Sequence, residues 1–204
     1  MKRTTRTLVA AAVCAATCSI AAAGEARPGH LKAIRVQPDK APDCTSLSSI
    51  VRSVTAGLDD DDAKAIAIYN FMLAAYYHHA YPNEPGGIGA LKGLTTYGWA
   101  LCGGEHTVLG ALFREAGWNW RYVGWSNPGH TTIEVEYGGN WHYLDAFLKF
   151  YTWREDPVLP NGRTIASQAD IKANPALVTE KLVLDPARRA RMGEVARAVR
   201  GGAS

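Results

Sequence analysis

The sequence predicts an α+β domain in which a helix that begins with a cysteine packs on an antiparallel sheet. Helical patterns come first, up to Ala116, and three strand-like runs follow between Trp118 and Leu148. Gly138-Gly139 lies between the last two runs, where a glycine pair favours a tight hairpin turn. Because the helices precede the strands instead of alternating with them, an α+β arrangement is favoured over a parallel α/β sheet.

Residues 1–23 have the pattern of a secretory signal peptide. Three basic residues within Met1–Arg6 precede the uncharged apolar run Leu8–Ala23, which ends in small residues. Signal peptidase recognises this order of regions, and the apolar run is short for a membrane span. We therefore expect cleavage near Ala23 and a secreted or periplasmic protein.

The rest of the chain is predicted to contain one domain. Removing 23 of the 204 residues leaves 181, which suits a single domain with a sizeable core. Residues 24–45 are rich in proline and polar side chains and are expected to be extended. Residues 46–180 are expected to form the domain, and residues 181–204 a basic helical tail. No segment after the signal peptide is apolar enough to predict membrane insertion.

The charge balance gives no sign of a polyanionic partner. The chain has 22 basic and 19 acidic residues, and three of the basic ones lie in the signal peptide, so 19 of each remain after cleavage. Binding to nucleic acid or to an anionic membrane surface is therefore not expected.

Two helices and a long loop are predicted before the cysteine. Ser46–Leu58 has the pattern of a short helix that ends at Gly57. The next helix starts with acids in "DDDDAKAIAIYNFMLAAYYHH", which suit a helix N-terminus, and its buried stripe is predicted to be Ile66, Tyr69, Leu73 and Tyr76. Tyr81–Trp99 contains five glycines and two prolines and is predicted to be a loop.

A third helix and three strands are predicted after this loop. The helix covers Cys102–Ala116 and stops at Gly117, and its apolar face consists of Val108, Leu109, Leu112 and Phe113. The strand-like runs are "WNWRYVGW", "HTTIEVEY" and "WHYLDAFL". After Tyr151 the pattern weakens, and "LPNGRTIAS" is typical of a turn.

Three residues that could act as nucleophile, base and orienting carboxylate converge in this arrangement. Cys102 opens a helix, whose unpaired N–H groups favour a thiolate. His130 begins the second strand-like run, and Asp145 lies near the end of the third. If Gly138-Gly139 is a two-residue turn, Asp145 faces Thr132 and projects from the same side of the sheet as His130. The predicted register therefore lets Asp145 hold the imidazole.

The same register predicts a sheet that is covered on both faces, or bulged near His130. The face away from His130 carries the apolar side chains Ile133, Val135 and Leu144. The face of His130 also carries large side chains, namely Glu134, Trp141 and Tyr143.

These segments resemble the transglutaminase-like superfamily, whose members carry a Cys–His–Asp triad on a papain-like α+β fold. The matching stretches are "YGWALCGGEHTVLGALFREAGWNWRYVGW", "GHTTIEVEYGGNWHYLDA" and "LDDDDAKAIAIYNFMLAAYY", which cover roughly residues 58–153. The resemblance implies Cys102 as nucleophile, His130 as general base and Asp145 as the carboxylate that orients it. The implied reaction is acyl transfer or hydrolysis of a protein or peptide amide through a Cys102 thioester, without a metal or other cofactor.

The oxyanion formed in such a reaction requires two hydrogen-bond donors. The backbone N–H of Cys102 at the helix start supplies one. Papain-like enzymes take the second from an upstream glutamine, and many transglutaminases take it from a tryptophan. The glutamines here are Gln37 and Gln168, and neither is near the cysteine in sequence, so Trp99 or Tyr97 is the candidate.

Other interpretations of the same residues stay open. Cys44 and Cys102 remain after cleavage and could form a disulfide in an oxidising compartment. Cys102 and His106, four residues apart on a helix, could share a metal, although no CxxC or HExxH motif offers further ligands. Arylamine acetyltransferases have the same residue order, but they prefer Arg-Gly-Gly before the cysteine, whereas Gly103-Gly104 follows it here.

A non-catalytic function is the alternative from a different class. In that hypothesis the same fold, with Cys102 oxidised or buried, recognises a polypeptide or a cell-surface polymer through an aromatic cleft.

On the enzyme hypothesis, nothing in the sequence marks an amine-acceptor site, which favours hydrolysis over crosslinking. Calcium-binding loops of the D-x-D-x-D-G type do not occur in the sequence.

The other polar residues near the predicted site are expected to be structural. Glu105 is interpreted as a first-turn acid favoured by the helix dipole. His106 is interpreted as a packed or capping side chain and His142 as a hydrogen-bonded core histidine. His78-His79 is interpreted as a cationic pair at a helix end, where positive charge is favourable.

Overall fold

The computed structural model describes residues 41–126 and 129–179. The predicted signal peptide, most of the predicted extended segment and the predicted basic tail lie outside these residues. Among the helices of the described residues, none combines the length and the apolar character that crossing a bilayer requires.

The N-terminal part of the described chain is helical, as predicted. Helix α1 (Leu47–Val54) starts with a capping box, in which the hydroxyls of Ser46 and Ser49 each accept the other residue's backbone N–H. Helix α2 (Asp61–Ala75) is capped by Asp60, whose carboxylate accepts the backbone N–H of Ala63 in the first turn. Both starts follow from short polar side chains placed just before an apolar run.

The buried face of α2 differs from the predicted one. Ile66 and Leu73 are only half-buried, whereas the buried positions are Asp62, Ala65, Ile68, Tyr69 and Met72. The helix is apolar on most of its circumference, so the positions of its large side chains alone do not identify the inward face.

The segment Tyr81–Trp99, predicted to be a loop throughout, contains helical structure. Helix α3 (Ala90–Lys92) continues directly into a π-helix over Gly93–Tyr97. Gly98 then ends the helical path with φ of 76°, a left-handed conformation that glycine adopts without strain. Elements of three and five residues are too short to give a periodic apolar pattern, which explains why the sequence did not predict them.

A pair of very short strands brings the chain to the third long helix. Strand β1 (Tyr77–His78) pairs in parallel with β2 (Trp99–Ala100). Only Leu101 separates β2 from helix α4 (Cys102–Glu115). The start of α4 is therefore tied to the segment that follows α2.

The central sheet has three antiparallel strands in the order in which they occur along the chain. They are β3 (Asn119–Ser126), β4 (Gly129–Tyr137) and β5 (Asn140–Leu144). The two glycines between β4 and β5 have φ of 57° and 74°, as a two-residue hairpin turn requires. Tyr137 pairs with Asn140, so the predicted register is confirmed.

Both faces of this sheet are covered, and the pairing of β3 with β4 continues without a bulge through His130. Helix α4 packs on one face through the predicted side chains Val108, Leu109, Leu112 and Phe113. That face of the sheet contributes Ile133, Val135 and Leu144. The face that carries His130 is covered by a second apolar cluster, which consists of Trp125, Tyr143, Leu148, Phe150, Ala166, Ile171, Leu177 and Val178.

The region after Tyr151 is more regular than predicted. Strand β6 (Trp153–Glu155) pairs antiparallel with β7 (Arg163–Ile165), so part of the predicted "LPNGRTIAS" turn is a strand. Helices α5 (Gln168–Ala173) and α6 (Ala176–Thr179) complete the described chain. Strands of three residues are too short to show a recognisable alternation, and the turn residues between them gave the stronger signal.

Candidate active site

Cys102 is the first residue of α4, where the sequence places it. Leu101 occupies the N-cap position and provides no side-chain cap. The side chain of Cys102 is half-buried, and both it and the exposed Cys44 are free thiols. The proposed alternative of a Cys44–Cys102 disulfide is therefore wrong for this structure.

Two glycines after the cysteine let an upstream tyrosine lie directly on the start of α4. A Cβ atom at Gly104 would lie 2.6 Å from Cε1 of Tyr81 and 2.7 Å from Cβ of Ala100. The N–H of Gly104, one of the unpaired donors of a helix N-terminus, donates to the Tyr81 hydroxyl at 3.1 Å. The ring of Tyr81 thus forms an exposed wall beside the first turn of α4.

His130 and Asp145 are hydrogen-bonded to each other. Nε2 of His130 donates to Oδ2 of Asp145 at 2.6 Å. Because an ionised carboxylate only accepts, the proton of the neutral ring is fixed on Nε2 and Nδ1 is left as the acceptor. The Cys102 side chain is near enough to the His130 ring to raise its pKa. The structure thus brings together the three residues that the sequence singled out.

Asp145 is completely buried and well supplied with donors. Its carboxylate accepts the hydroxyl of Tyr143 on Oδ2 at 2.8 Å and the N–H of Leu148 on Oδ1 at 2.8 Å, in addition to the His130 bond. Burial raises the pKa of Asp145, but the hydrogen bond from His130, the electrostatic effects of His106 and His130 and the Leu148 N–H outweigh it, so the pKa is lowered from 3.8. An ionised carboxylate therefore faces the imidazole at neutral pH.

The same pairing makes His130 a stronger base. Burial lowers its pKa, but the hydrogen bond and charge of Asp145 act in the opposite direction, and the Cys102 side chain adds to them. The net effect is a pKa above the ordinary 6.5. A more basic imidazole accepts a proton from a neighbouring thiol more readily.

His106 is a packed side chain, as predicted, and it connects α4 to the Asp145 segment. It is completely buried. Nδ1 donates to the Cys102 carbonyl at 2.7 Å, and Nε2 accepts the N–H of Ala146 at 2.9 Å. Burial lowers the pKa of His106, so the ring is neutral and its 3.6 Å approach to Asp145 is not an ion pair.

The metal interpretation of Cys102 and His106 does not fit these contacts. Both ring nitrogens of His106 already bond to backbone groups, which leaves no lone pair for a metal. Across residues 41–126 and 129–179, no group of three or more His, Cys, Asp or Glu side chains is arranged to hold a metal ion.

Glu105 lies in the first turn of α4, as predicted, but its side chain is buried. Only 2% of it is exposed, and Oε2 has no hydrogen-bonding partner. Burial raises its pKa to about 7, the nearby charge of Asp145 adds to the rise, and His130 and Lys149 partly oppose it. The position of an acid in the first turn of a helix gives no signal of this burial, because the covering residues come from distant parts of the chain.

Two cavities lie beside the first turns of α4. One, of about 460 Å³, is lined by Gly103 and Gly104 together with the exposed rings of Tyr81 and Tyr122. The other, of about 930 Å³, lies on the side of Glu105; its walls are formed by Leu73–His78, Leu94–Gly98 and Ala146–Lys149.

His78 belongs to the site region rather than to a helix end. Helix α2 ends at Ala75, and His78 lies in β1 with its ring 4.1 Å from the ring of Phe147. The Phe147 ring is 5.2 Å from that of His130. Burial lowers the pKa of His78, and the charges of His130 and His79 contribute. His142, in contrast, is a buried core histidine as predicted, with its ring nitrogens near two backbone carbonyls.

The predicted second oxyanion donors differ in their availability. The Tyr97 hydroxyl donates to Glu84 and is thereby committed to another acceptor. Trp99 lies in β2, and its ring packs between those of Tyr77 and Tyr97. Gln168 is bonded to Gly124 on the sheet. Trp99 therefore remains the candidate donor, as a prediction.

Comparison with known proteins identifies a family and a similar solved structure. The family model of the transglutaminase-like superfamily matches residues 48–155, which is more than half of the chain. A solved structure of a candidate cysteine protease from Cytophaga hutchinsonii is similar with a TM-score of 0.44 and 20% sequence identity. The match covers 69% of this chain and 47% of that one, so this chain spans about half of its length. No curated protein matches the sequence.

Proposed function

Since the chain belongs to the transglutaminase-like superfamily, whose fold is that of thiol enzymes, we propose that it is an exported enzyme that cleaves or transfers the acyl group of protein or peptide amides. Cys102 is the nucleophile, His130 the general base and Asp145 the orienting carboxylate. Export rests on the signal-peptide pattern of residues 1–23.

The observation that carries the proposal is that His130 and Asp145 lie together beside Cys102, the first residue of α4. The buried carboxylate of Asp145 accepts a hydrogen bond from Nε2 of His130 at 2.6 Å, and the Cys102 side chain is near enough to the same ring to raise its pKa. A structural histidine would satisfy both nitrogens with backbone groups, as His106 does. An imidazole that is bonded to a buried carboxylate and has a thiol nearby supports the proposal of an activated nucleophile.

The first half of the reaction forms a thioester. Nδ1 of His130 takes the thiol proton, and the sulfur of Cys102 attacks the amide carbonyl carbon. The carbonyl oxygen becomes an oxyanion and accepts the Cys102 backbone N–H. When the C–N bond breaks, the imidazolium gives its proton to the leaving amine. The acyl group is then bound to sulfur.

The second half releases the acyl group. His130 takes a proton from a water molecule, the resulting oxygen attacks the thioester, and the protonated ring returns the proton to sulfur. The products are a carboxylic acid and the free thiol. A primary amine in place of water would give a new amide by the same steps. Hydrolysis is the proposed main reaction, because the sequence marks no amine-acceptor site.

Alkylation of the thiol tests the proposal independently of any substrate. With iodoacetamide at mildly acidic pH, Cys102 is expected to react at least about tenfold faster than Cys44, and His130→Ala is expected to abolish this difference. Peptide mapping by mass spectrometry separates the two sites. A peptide-amide library, screened with and without an added primary amine, then distinguishes hydrolysis from transfer.

Equal and slow labelling of the two cysteines would contradict the enzyme proposal. That outcome favours the alternative function, a binding module that recognises a polypeptide or cell-surface polymer. The cavity walled by the exposed rings of Tyr81 and Tyr122 would then be the recognition surface.

A further inference from the structure

We infer that Glu105 recognises a cationic side chain of the substrate, of the lysine or arginine type, in the cavity of about 930 Å³ that it lines. This cation is a recognition group and does not take part in bond formation. The identity of the substrate as a polypeptide rests on the proposed function, whereas binding of the cation does not.

The first support is the unsatisfied state of the carboxylate. Glu105 is 98% buried, and Oε2 has no hydrogen-bonding partner in the structure. Leaving a buried charged group without a partner costs about 1–3 kcal/mol or more, so proteins rarely keep one without a functional reason. A bound ammonium or guanidinium group would supply the missing donor and the opposite charge.

The second support is the composition of the cavity walls. Leu73 and Leu94 offer apolar surface for the hydrocarbon stem of a long basic side chain. Tyr76, Tyr77 and Phe147 offer aromatic rings, whose faces attract cations. A cavity whose mixed walls offer apolar and aromatic surface beside one buried acid fits a side chain with a charged end and an aliphatic stem.

The charges around the cavity favour a cation over an anion. The ionised Asp145 is close enough to Glu105 to raise the pKa of Glu105. Burial raises the pKa of Tyr76, and the nearby charge of Glu105 adds to that rise. An anionic group placed here would be repelled by both carboxylates. The basic groups near the cavity are His78, His130 and Lys149. Lys149 is exposed, and within the described residues it forms no ion pair with Glu105.

The location connects the cavity to the reaction. Glu105 is three residues after Cys102 on α4, and the wall formed by Ala146–Lys149 directly follows Asp145. Phe147 of that wall is 5.2 Å from the ring of His130. A basic side chain in this cavity would therefore belong to a residue close to the reacting amide.

Binding to a catalytically inactive variant tests the inference without relying on turnover. Nα-acetyl-lysine N-methylamide and its neutral counterpart Nα-acetyl-norleucine N-methylamide are titrated into the Cys102→Ala protein, and binding is followed by NMR chemical shifts. The lysine compound is expected to bind about tenfold more tightly, which corresponds to about 1.4 kcal/mol. Glu105→Gln in the same background is expected to remove this preference.

Matched variants make the result specific. Glu115→Gln makes the same chemical change at an exposed site on the same helix and is expected to retain the preference. Ala74→Trp is expected to block the cavity from an exposed wall position without altering Glu105, which provides a second test if Glu105→Gln does not fold. Equal affinity for the two amides, no binding of either, or a preference that survives both Glu105→Gln and Ala74→Trp would overturn the inference. Slow alkylation of Cys102 with an intact preference would instead count against the proposed function alone.

Discussion

Nε2 of His130 donates a 2.6 Å hydrogen bond to Oδ2 of Asp145, although the two residues are not directly paired across the sheet. Asp145 directly follows the last residue of β5, at the position opposite Thr132, and His130 lies two residues before Thr132 on β4. The bond is diagonal, and it exists because the two-residue turn places both side chains on one face. A turn longer by one residue would separate them.

The amide variant Asp145→Asn tests the functional importance of this bond. It keeps the shape of the side chain but removes the charge that orients and strengthens His130, so the rate of amide cleavage is expected to fall at least about 10²-fold. Iodoacetamide labelling of Cys102 is expected to slow in parallel. Asp59→Asn makes the same change at an exposed position and provides the control. Unchanged rates in the Asp145 variant would mean that another residue orients the imidazole.

Much of this site could be predicted because its geometry depends on local rules. The glycine pair fixed the turn, the turn fixed the register, and the register placed Asp145 beside His130. The start of α4 at Cys102 followed from the apolar pattern of the helix and the glycine-rich segment before it.

The residues around the site could not be predicted, because their environment comes from distant segments. The burial of Glu105 depends on walls contributed by α2, the π-helix and the segment after β5. The two bonds of His106 depend on where Ala146, forty residues later, meets α4. No local spacing rule contains this information.

The stability of the fold is expected to depend on pH through His130. Its pKa is raised above 6.5 in the folded protein, so the protonated ring contributes fully below pH 6.5 and this contribution is lost as the pH rises through the raised value. Urea unfolding of the wild type and of His130→Gln at about pH 5.5 and about pH 8 tests this expectation. The stability difference in favour of the wild type is expected to be smaller at the higher pH. A difference that grows with pH would contradict the assigned direction; His79→Gln, which changes an exposed imidazole, is the control.

Replacing His106 is expected to affect both stability and reactivity. His106→Leu leaves the buried N–H of Ala146 without an acceptor, which should cost about 2 kcal/mol in free energy of unfolding. His106→Gln offers an acceptor and a donor and should recover part of the loss. Denaturant unfolding measures the change in stability. The alkylation rate of Cys102, measured where both variants are fully folded, reports whether the cysteine is still correctly positioned. Full stability in the leucine variant would show that the Ala146 contact is not important.

The hydroxyl of Tyr143 is expected to stabilise the buried carboxylate of Asp145 by a hydrogen bond. It donates to Oδ2 at 2.8 Å and accepts the indole N–H of Trp125 at 2.8 Å. Tyr143→Phe removes one donor from the carboxylate and leaves a buried N–H unpaired, so a loss of about 1–3 kcal/mol is expected. Thermal and urea unfolding measure it. Tyr122→Phe, an exposed tyrosine on β3, serves as the comparison, and equal effects of the two substitutions would refute the supporting role.

Gly104 is expected to tolerate alanine poorly, against the general preference of helices. Alanine in place of glycine usually stabilises a helix by about 1 kcal/mol. Here the new Cβ would lie 2.6 Å from Cε1 of Tyr81 and 2.7 Å from Cβ of Ala100, so both contacts must be relieved by local shifts. Gly104→Ala is therefore expected to lower the free energy of unfolding by about 1–3 kcal/mol and to change the alkylation rate of Cys102, since the wall beside the first turn is displaced.

The double variant Tyr81→Ala with Gly104→Ala separates the two contacts that cause this effect. Removing the ring relieves the contact with Tyr81 but not that with Ala100, so the cost of Gly104→Ala should become smaller without disappearing. Gly89→Ala, where a Cβ would meet no atom within 4 Å, is the control and should be nearly neutral. If alanine at position 104 were as harmless as at position 89, the close packing of Tyr81 on the start of α4 would not exist in solution. The wall that it provides beside Cys102 would then have to be abandoned as part of the substrate site.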